Sequence, residues 1–273
     1  MDDKKRMKWQ AIATLVQNAN LKGFFTGKIY QGRAKNVCVP GLNCYSCPGA
    51  VGACPIGSLQ NALSEYQFKI PYYVLGLMIF FGALLGRFVC GFLCPFGFLQ
   101  NLLHKIPFPI KFRTFKGDRL LRKLKYVVLL LMVVVLPVAY KFTPFFCKYI
   151  CPSGTLSGII LSFTNTALFA VLGKLFTWKA AVLILILVGS VVMYRPFCKY
   201  LCPLGAFYAP FNRIAIVRLS VDREKCTECH ACSRVCGMCV DPVENPDDGE
   251  CIRCGLCASG CPGKALKLTV KRE

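Results

Sequence analysis

The sequence predicts a mainly α chain: a polytopic membrane helix bundle of about four spans, built as a tandem-duplicated hairpin and followed by a small C-terminal α+β domain. Three observations carry that expectation. Hydrophobic residues make up 55% of the 273 and the mean hydropathy is +0.49, too apolar for an ordinary soluble domain and natural for a bilayer protein with a modest extramembrane part. The motif Cys-Pro-x-Gly recurs between apolar stretches, at Cys54, Cys94, Cys151 and Cys202. From residue 216 onward the apolar runs stop and cysteines crowd into C-x2-C spacings. The expected domains are therefore 1–215 in the membrane and 216–273 outside it.

In chain order, residues 9–25 read as a weak first span, since Gln17, Asn18 and Asn20 fall in the second half and no A-x-A site marks a cleavable signal. Residues 70–89, 126–142 and 178–194 are clear spans, each near the ~20 residues that cross a ~30 Å hydrocarbon core. Lys141 and Lys179 lie near their ends, where long basic side chains snorkel. Residues 155–172 carry Ser162, Thr164, Asn165 and Thr166 at the centre and read as re-entrant or interfacial. Basic residues set the orientation, because short loops rich in Lys and Arg stay in the cytoplasm. The loop 101–125 holds eight, the first eight residues hold four and the region after Tyr194 holds twelve, against only Lys148 and Lys174 in 145–177. Four spans with both termini inside satisfy that distribution. The protein is then expected in the cytoplasmic (inner) membrane, with its C-terminal domain facing the cytoplasm.

The four Cys-Pro-x-Gly copies alternate outside and inside on this topology. Three have a cysteine four residues earlier, giving Cys90/Cys94, Cys147/Cys151 and Cys198/Cys202; the first has Ala50 there, with Cys38, Cys44 and Cys47 just upstream. A [4Fe-4S] cluster needs four thiolates, so one pair is half a site and a duplicated hairpin completes it. The inner site would use Cys90, Cys94, Cys198 and Cys202. The outer would use Cys147 and Cys151 with two of Cys44, Cys47 and Cys54. Proline after the cysteine stops the preceding helix or fixes a turn, and the following glycine leaves room for close backbone. For any single pair, a helix-boundary turn with a small apolar cysteine explains the residues equally well. For the set, redox-active disulfides or transient metal binding are the alternatives.

The C-terminal domain carries the most specific pattern. Cys226, Cys229, Cys232 and Cys236 follow the spacing C-x2-C-x2-C-x3-C, and Cys251, Cys254, Cys257 and Cys261 repeat it with Pro262 after. That is the spacing of two-cluster bacterial ferredoxins, in which the fourth cysteine of each run ligates the other cluster. One [4Fe-4S] cluster is thus assigned to Cys226, Cys229, Cys232 and Cys261, the other to Cys251, Cys254, Cys257 and Cys236. Gly237 stands where proline is usual and Cys239 follows as a spare thiol. One or two further iron–sulfur clusters are expected at the membrane motifs. The C-x-x-C-H at Cys226–His230 is absorbed by the ferredoxin run rather than by haem, and His104 and His230 are too few for a bis-histidine haem in the membrane. His104 reads as an ordinary surface residue and the acidic loop 241–250 as solvated. The formal charge of +21 sits beside apolar spans rather than on a recurring basic and aromatic surface, which argues against nucleic acid. No G-x-G-x-x-G fingerprint is present, so oxidation of NADH by this chain is not expected.

With these motifs in place, the chain resembles the NapH/MauN-type membrane ferredoxins (4Fe-4S polyferredoxins) and the related C-terminal half of NosR. The likeness runs from about Ile70 onward, through Cys90/Cys94, Cys198/Cys202 and the two-cluster run at Cys226 to Cys261. The segment from Cys38 to Cys54 and the Cys147/Cys151 copy depart from the simplest pattern. The resemblance implies an electron carrier or redox subunit rather than a stand-alone enzyme. It would take electrons from a membrane quinol pool or a soluble donor and pass them to a partner reductase or maturation system. A second expectation is a metal-handling maturation factor of the copper-reducing CcoG type, using the C-x3-C-P thiols. A membrane redox sensor is the third, and the dozen residues after Cys261 are too few for its output domain.

Overall fold

A computed structural model describes residues 3–65, 71–164 and 173–270. Helix α1 (Asp3–Gln17) buries its polar residues Arg6, Gln10 and Gln17 and leaves Trp9, Ile12, Leu15 and Val16 exposed. The short α2 (Leu21–Thr26) closes on Gly27 in the left-handed conformation. The expected span 9–25 is therefore not one helix. Asn18 and Asn20 interrupt it, because their side chains capture the Thr14 and Pro48 carbonyls at 2.9 and 2.7 Å and compete with helical pairing.

Each Cys-Pro-x-Gly copy starts a helix: α3 (Pro55–Leu63) after Cys54, α6 (Pro95–His104) after Cys94, α10 (Pro152–Thr164) after Cys151 and α13 (Pro203–Tyr208) after Cys202. Proline suits the first helical position because the N–H it lacks would have no partner there. Cys94 and Cys202 also cap: their sulfurs accept the Gly97 and Gly205 N–H at 3.4 Å. The first cysteine of each complete pair lies on a five-residue helix, in α5 (Phe88–Phe92), α9 (Phe145–Tyr149) and α12 (Pro196–Tyr200). Each complete pair is thus a short helix, a turn at the second cysteine and an outgoing helix.

Between the motifs run the apolar helices. Within the stretch 70–89, expected to span, the structure has the 14-residue apolar helix α4 (Tyr72–Leu85), stopped by Gly86 at φ +57°; Ile70 lies outside the described residues. The span expected at 126–142 is the later part of an unbroken helical run: α7 (Asp118–Val127), a π-helical stretch at Val128–Val135 and α8 (Leu136–Ala139). Pro137 has no N–H and its ring would crowd the carbonyl four residues back, which the widened turns before it relieve. Helix α11 (Lys174–Val192) covers the span expected at 178–194, and among the described residues it is the one helix long and apolar enough to cross a membrane. Residues 155–164 belong to α10, whereas Asn165, Thr166 and the rest of the expected re-entrant segment lie outside the described residues.

The C-terminal part holds β1 (Arg218–Val221), α14 (Ala231–Val235), α15 (Leu256–Ser259) and β2 (Leu266–Thr269). The strands pair antiparallel with Arg218 opposite Thr269 and Val221 opposite Leu266. One core runs from Leu42 and Ile56 through Met78, Phe96, Val133, Phe146, Phe197 and Tyr208 to Met238 and Ile252; a smaller one joins Leu219, Cys232, Cys257 and Leu266. The larger core crosses the expected boundary at 215. The C-terminal part is therefore seated on the helical part through buried apolar surface.

Candidate metal centres

Sixteen of the nineteen cysteines fall into four quartets. The inner quartet is Cys90, Cys94, Cys198 and Cys202: all four are buried and close enough to perturb one another electrostatically. Burial, then the neighbouring sulfurs, pushes the Cys94 thiol up to about 12, and burial moves Cys90 and Cys202 the same way. Two guanidiniums oppose this in a reciprocal exchange. Arg87, three residues before Cys90, reaches the Cys198 carbonyl at 3.4 Å, while Arg195, three before Cys198, reaches the Cys90 carbonyl at 2.5 Å. Glycine at 97 and 205 admits them, since a Cβ would stand 3.3 Å from Arg195 and Arg87 respectively. Asn101 accepts from Arg195 at 2.7 Å and donates to Gln10 at 2.8 Å, and Gln10 donates to the Gly91 carbonyl at 2.6 Å.

The outer quartet is Cys44, Cys54, Cys147 and Cys151. A Cβ on Gly57 would lie 3.9 Å from the Cys147 sulfur, and one on Gly154 would lie 3.8 Å from both the Cys151 and Cys44 sulfurs. Cys54 and Cys44 each have Cys151 as charged neighbour, and burial pushes both thiols up. Of the three cysteines left open by the sequence, the structure thus brings Cys44 and Cys54 to the pair and turns Cys47 away, its sulfur 3.7 Å from the Asn18 side chain. Cys38 faces Ser58 at 3.6 Å. Between the two quartets lies fully buried Tyr208, with Cys90, Cys94, Cys54 and Cys38 around it and its hydroxyl donating to the Pro40 carbonyl at 3.2 Å.

In the C-terminal part, Cys226, Cys229, Cys232 and Cys261 line an open cavity of about 330 Å3. Cys236, Cys251, Cys254 and Cys257 line a smaller, more enclosed one together with Met238, Val240 and Ile252. The fourth cysteine of each run therefore faces the other run. Cys239 is turned aside at φ +56°, 3.8 Å from the Lys199 ammonium. The enclosed quartet adjoins the inner one, for a Cβ on Gly91 would stand 2.4 Å from the Ile252 carbonyl. Asn212 ties the two loops together, accepting from the Arg87 N–H at 3.0 Å and donating to the Asp248 and Cys251 carbonyls at 2.8 Å. Glu250 joins Arg87 at 3.0 Å and also pairs with Lys125. Burial would raise its carboxyl, but the Arg87 and Lys125 charges outweigh it and hold the group below the usual range.

Four thiols per site fit an iron–sulfur cluster, whose four irons each take one cysteine. Among the described residues no three Cys, His, Asp or Glu side chains close on a single metal ion. In the C-terminal part the thiols line cavities rather than closing on a point. Backbone N–H groups already aimed at Cys94 and Cys202 are the donors that a cluster's negative sulfurs require. Sequence reasoning missed Arg87 and Arg195, whose signal was their shared place three residues before Cys90 and Cys198. It also missed Gln60 and Gln100, whose amides donate to Cys147 and Cys198 at 3.4 and 3.2 Å; their signal was the Leu-Gln-Asn shared by the first two copies. His104 is half-buried, its ring edge against Tyr194 at 5.5 Å, rather than an ordinary surface residue.

The 4Fe-4S binding domain family model matches three times, at residues 70–114, 124–176 and 175–221. Each match contains one complete C-x3-C-P pair. An uncharacterized protein of Methanocaldococcus jannaschii is 34% identical over 190 residues, 67% of this chain and 65% of that relative. The ferredoxin-type protein NapH of Haemophilus influenzae is 23% identical over 212 residues, 71% of this chain and 66% of NapH. The methylamine utilization ferredoxin-type protein MauN of Paracoccus denitrificans is 31% identical over 183 residues, 65% of this chain and 58% of MauN. In each case the match spans less than two thirds of the relative's length. No solved structure matches. With three family matches centred on the paired cysteines, the chain belongs to the NapH/MauN-type 4Fe-4S ferredoxin family to which NosR is related, a family of iron–sulfur electron-transfer proteins.

Proposed function

We propose that the protein is an integral membrane electron carrier with four [4Fe-4S] sites in series. They would be held by Cys44/Cys54/Cys147/Cys151, Cys90/Cys94/Cys198/Cys202, Cys236/Cys251/Cys254/Cys257 and Cys226/Cys229/Cys232/Cys261. The observation that carries this reading is the contact made at each junction. Tyr208 fills the space between outer and inner quartets, Gly91 lies against Ile252 between the inner and enclosed quartets, and Cys236 and Cys261 are exchanged between the last two. When bound, a cluster supplies one-electron uptake and release without bond-making chemistry. The chain's part is to bury the middle sites from water, to compensate their negative charge with Arg87 and Arg195, and to keep the last site open to a partner.

A bundle of about four spans in the cytoplasmic membrane is supported by an inverted pattern of burial. Polar Arg6, Gln10 and Gln17 of α1 point inward while its apolar side chains face out, and Leu130, Leu131, Ile184, Leu185 and Val188 are likewise exposed. Apolar side chains exposed in such numbers are unfavourable in water and favourable against lipid. The basic loop 101–125 and the open C-terminal quartet would then face the cytoplasm, where a redox partner protein or reductase complex docks. A membrane quinol is a fitting donor or acceptor. The deciding experiment is iron and acid-labile sulfide per chain in anaerobically purified protein, beside a Cys90→Ala/Cys198→Ala variant. The reading expects about sixteen irons, falling to about twelve in the variant. About eight, unchanged by the variant, would sink it and redirect the membrane cysteines to thiol or copper chemistry.

A further inference from the structure

We propose that Gln60 and Gln100 set the reduction potentials of the outer and inner sites, each donating its side-chain N–H to the first thiol of the paired motif. The inference rests on the reading that those quartets hold clusters. Both glutamines stand six residues after the cysteine of a Cys-Pro-x-Gly copy, on α3 and α6, and both are fully buried. Their bonds cross between copies: Gln60 of the first copy reaches Cys147 of the third at 3.4 Å, and Gln100 of the second reaches Cys198 of the fourth at 3.2 Å. The same place in the third and fourth copies is taken by Ser157, beside Cys44, and Tyr208, beside Cys90. Position six therefore addresses the facing half-site in all four copies, but only in the first two is it an amide.

The orientation of the Gln60 amide follows from its surroundings. The Gln60 side-chain oxygen accepts the Phe146 backbone N–H at 3.0 Å. A backbone N–H can only donate, so the amide nitrogen is left to face the sulfur. At Gln100 the oxygen has no partner among the described residues, and a buried unsatisfied polar atom is costly. Leucine would fill that volume without the cost. What the glutamine adds there is the N–H on Cys198.

Reduction adds one electron and increases the negative charge on the cysteine sulfurs. A donor on sulfur stabilises the reduced form more than the oxidised form and raises the potential. The test is a redox titration followed by electron paramagnetic resonance on the purified full chain, with iron counted in each sample. The variants are Gln100→Leu, Gln100→Met, Gln60→Leu and Gln60→Met, and the inner signal is identified by its loss in Cys94→Ala. The expected result is iron unchanged at about sixteen. The inner midpoint moves to more negative potential in the Gln100 variants alone, and the outer midpoint in the Gln60 variants alone. Full iron with unmoved midpoints overturns the role of the glutamines and leaves the four-site reading intact. Loss of about four irons in both the Leu and Met variants overturns it too, making the amide a structural part of the site. About eight irons in the unsubstituted protein removes the reading and the proposal together.

Discussion

Arg87 gathers more of this structure than any single cysteine. Its guanidinium is wholly buried, donates to the Gly249 carbonyl at 2.6 Å and to Glu250 at 3.0 Å, and touches the facing motif at the Cys198 carbonyl. Removing one member of such a buried charge group leaves the others uncompensated, at a cost of about 3–5 kcal/mol; Lys125 still pairs with Glu250, which places Arg87→Met at the lower end. The thermal midpoint of the variant should fall accordingly, and Arg87→Lys should recover little of it, because an ammonium lacks the planar fork that reaches three acceptors. Asp118 offers a separate test with pH. It accepts from Tyr200 at 2.5 Å and pairs with Arg122 at 2.6 Å. Burial raises its carboxyl, and the Tyr200 hydrogen bond and Arg122 charge together outweigh that and hold it below its usual value. A carboxyl depressed in the folded state stabilises fully above its unfolded pKa of about 3.9 and loses that contribution as pH falls through the folded value. The gap in thermal midpoint between the natural protein and Asp118→Asn should therefore stay constant from about pH 8 to pH 5 and close only below about pH 4. A gap that varied near neutrality would contradict the assignment.

At the scale of elements, α5 shows why small residues sit at the junctions. Gly91 lies on the face of α5 that meets the loop at Ile252, and a Cβ there would come within 2.4 Å of a backbone carbonyl. A backbone atom cannot swing aside, so Gly91→Ala must push the inner motif and the C-terminal part away from each other. Overpacking of this kind costs about 1–3 kcal/mol. On the four-site reading its clearer signature is kinetic. Rapid-mixing reduction should show slower electron exchange between the C-terminal centres and the inner one, with iron per chain unchanged. An exchange rate equal to that of the natural protein would mean that this contact is not the route. The motifs themselves show how one local code serves two ends of the molecule. Cysteine at the cap, proline at the first helical position and glycine two places later recur in all four copies, while the brace differs: arginines cross at the inner quartet, whereas at the outer one the Lys179 ammonium reaches the Cys147 carbonyl at 3.3 Å.

At the scale of the whole molecule, the proposed orientation in a membrane is the property to test. Lys111, Lys116 and Lys123 on the basic loop and Lys174 at the start of α11 are all exposed. In intact cells a membrane-impermeant amine reagent should modify Lys174 and spare the three loop lysines, which should react only after the cells are broken. The opposite pattern would turn the C-terminal quartets outward. Much of the plan was legible beforehand: the cysteine pairs, their four-residue spacing, the repeat and the ferredoxin runs are local features that survive in a linear reading. Other features were not local. Residues 9–25 looked like one weak span because hydropathy does not register that Asn18 folds back on the Thr14 carbonyl and Asn20 reaches across to the Pro48 carbonyl. Cys44 and Cys47 had equal claims by spacing, and only the path of the loop from Cys38 to Cys54 turns one toward Cys151 and the other toward Asn18. The crossing of Arg87 and Arg195 was not legible, since nothing in one copy says that its arginine will be used by the other. The sequence by itself determined the three complete cysteine pairs and the two C-terminal cysteine runs, because caps, prolines and cysteine spacings act within a single turn of chain. Tertiary structure alone decided which halves face each other and which side chains cross between them, because those contacts join residues about a hundred positions apart and depend on how the helices pack.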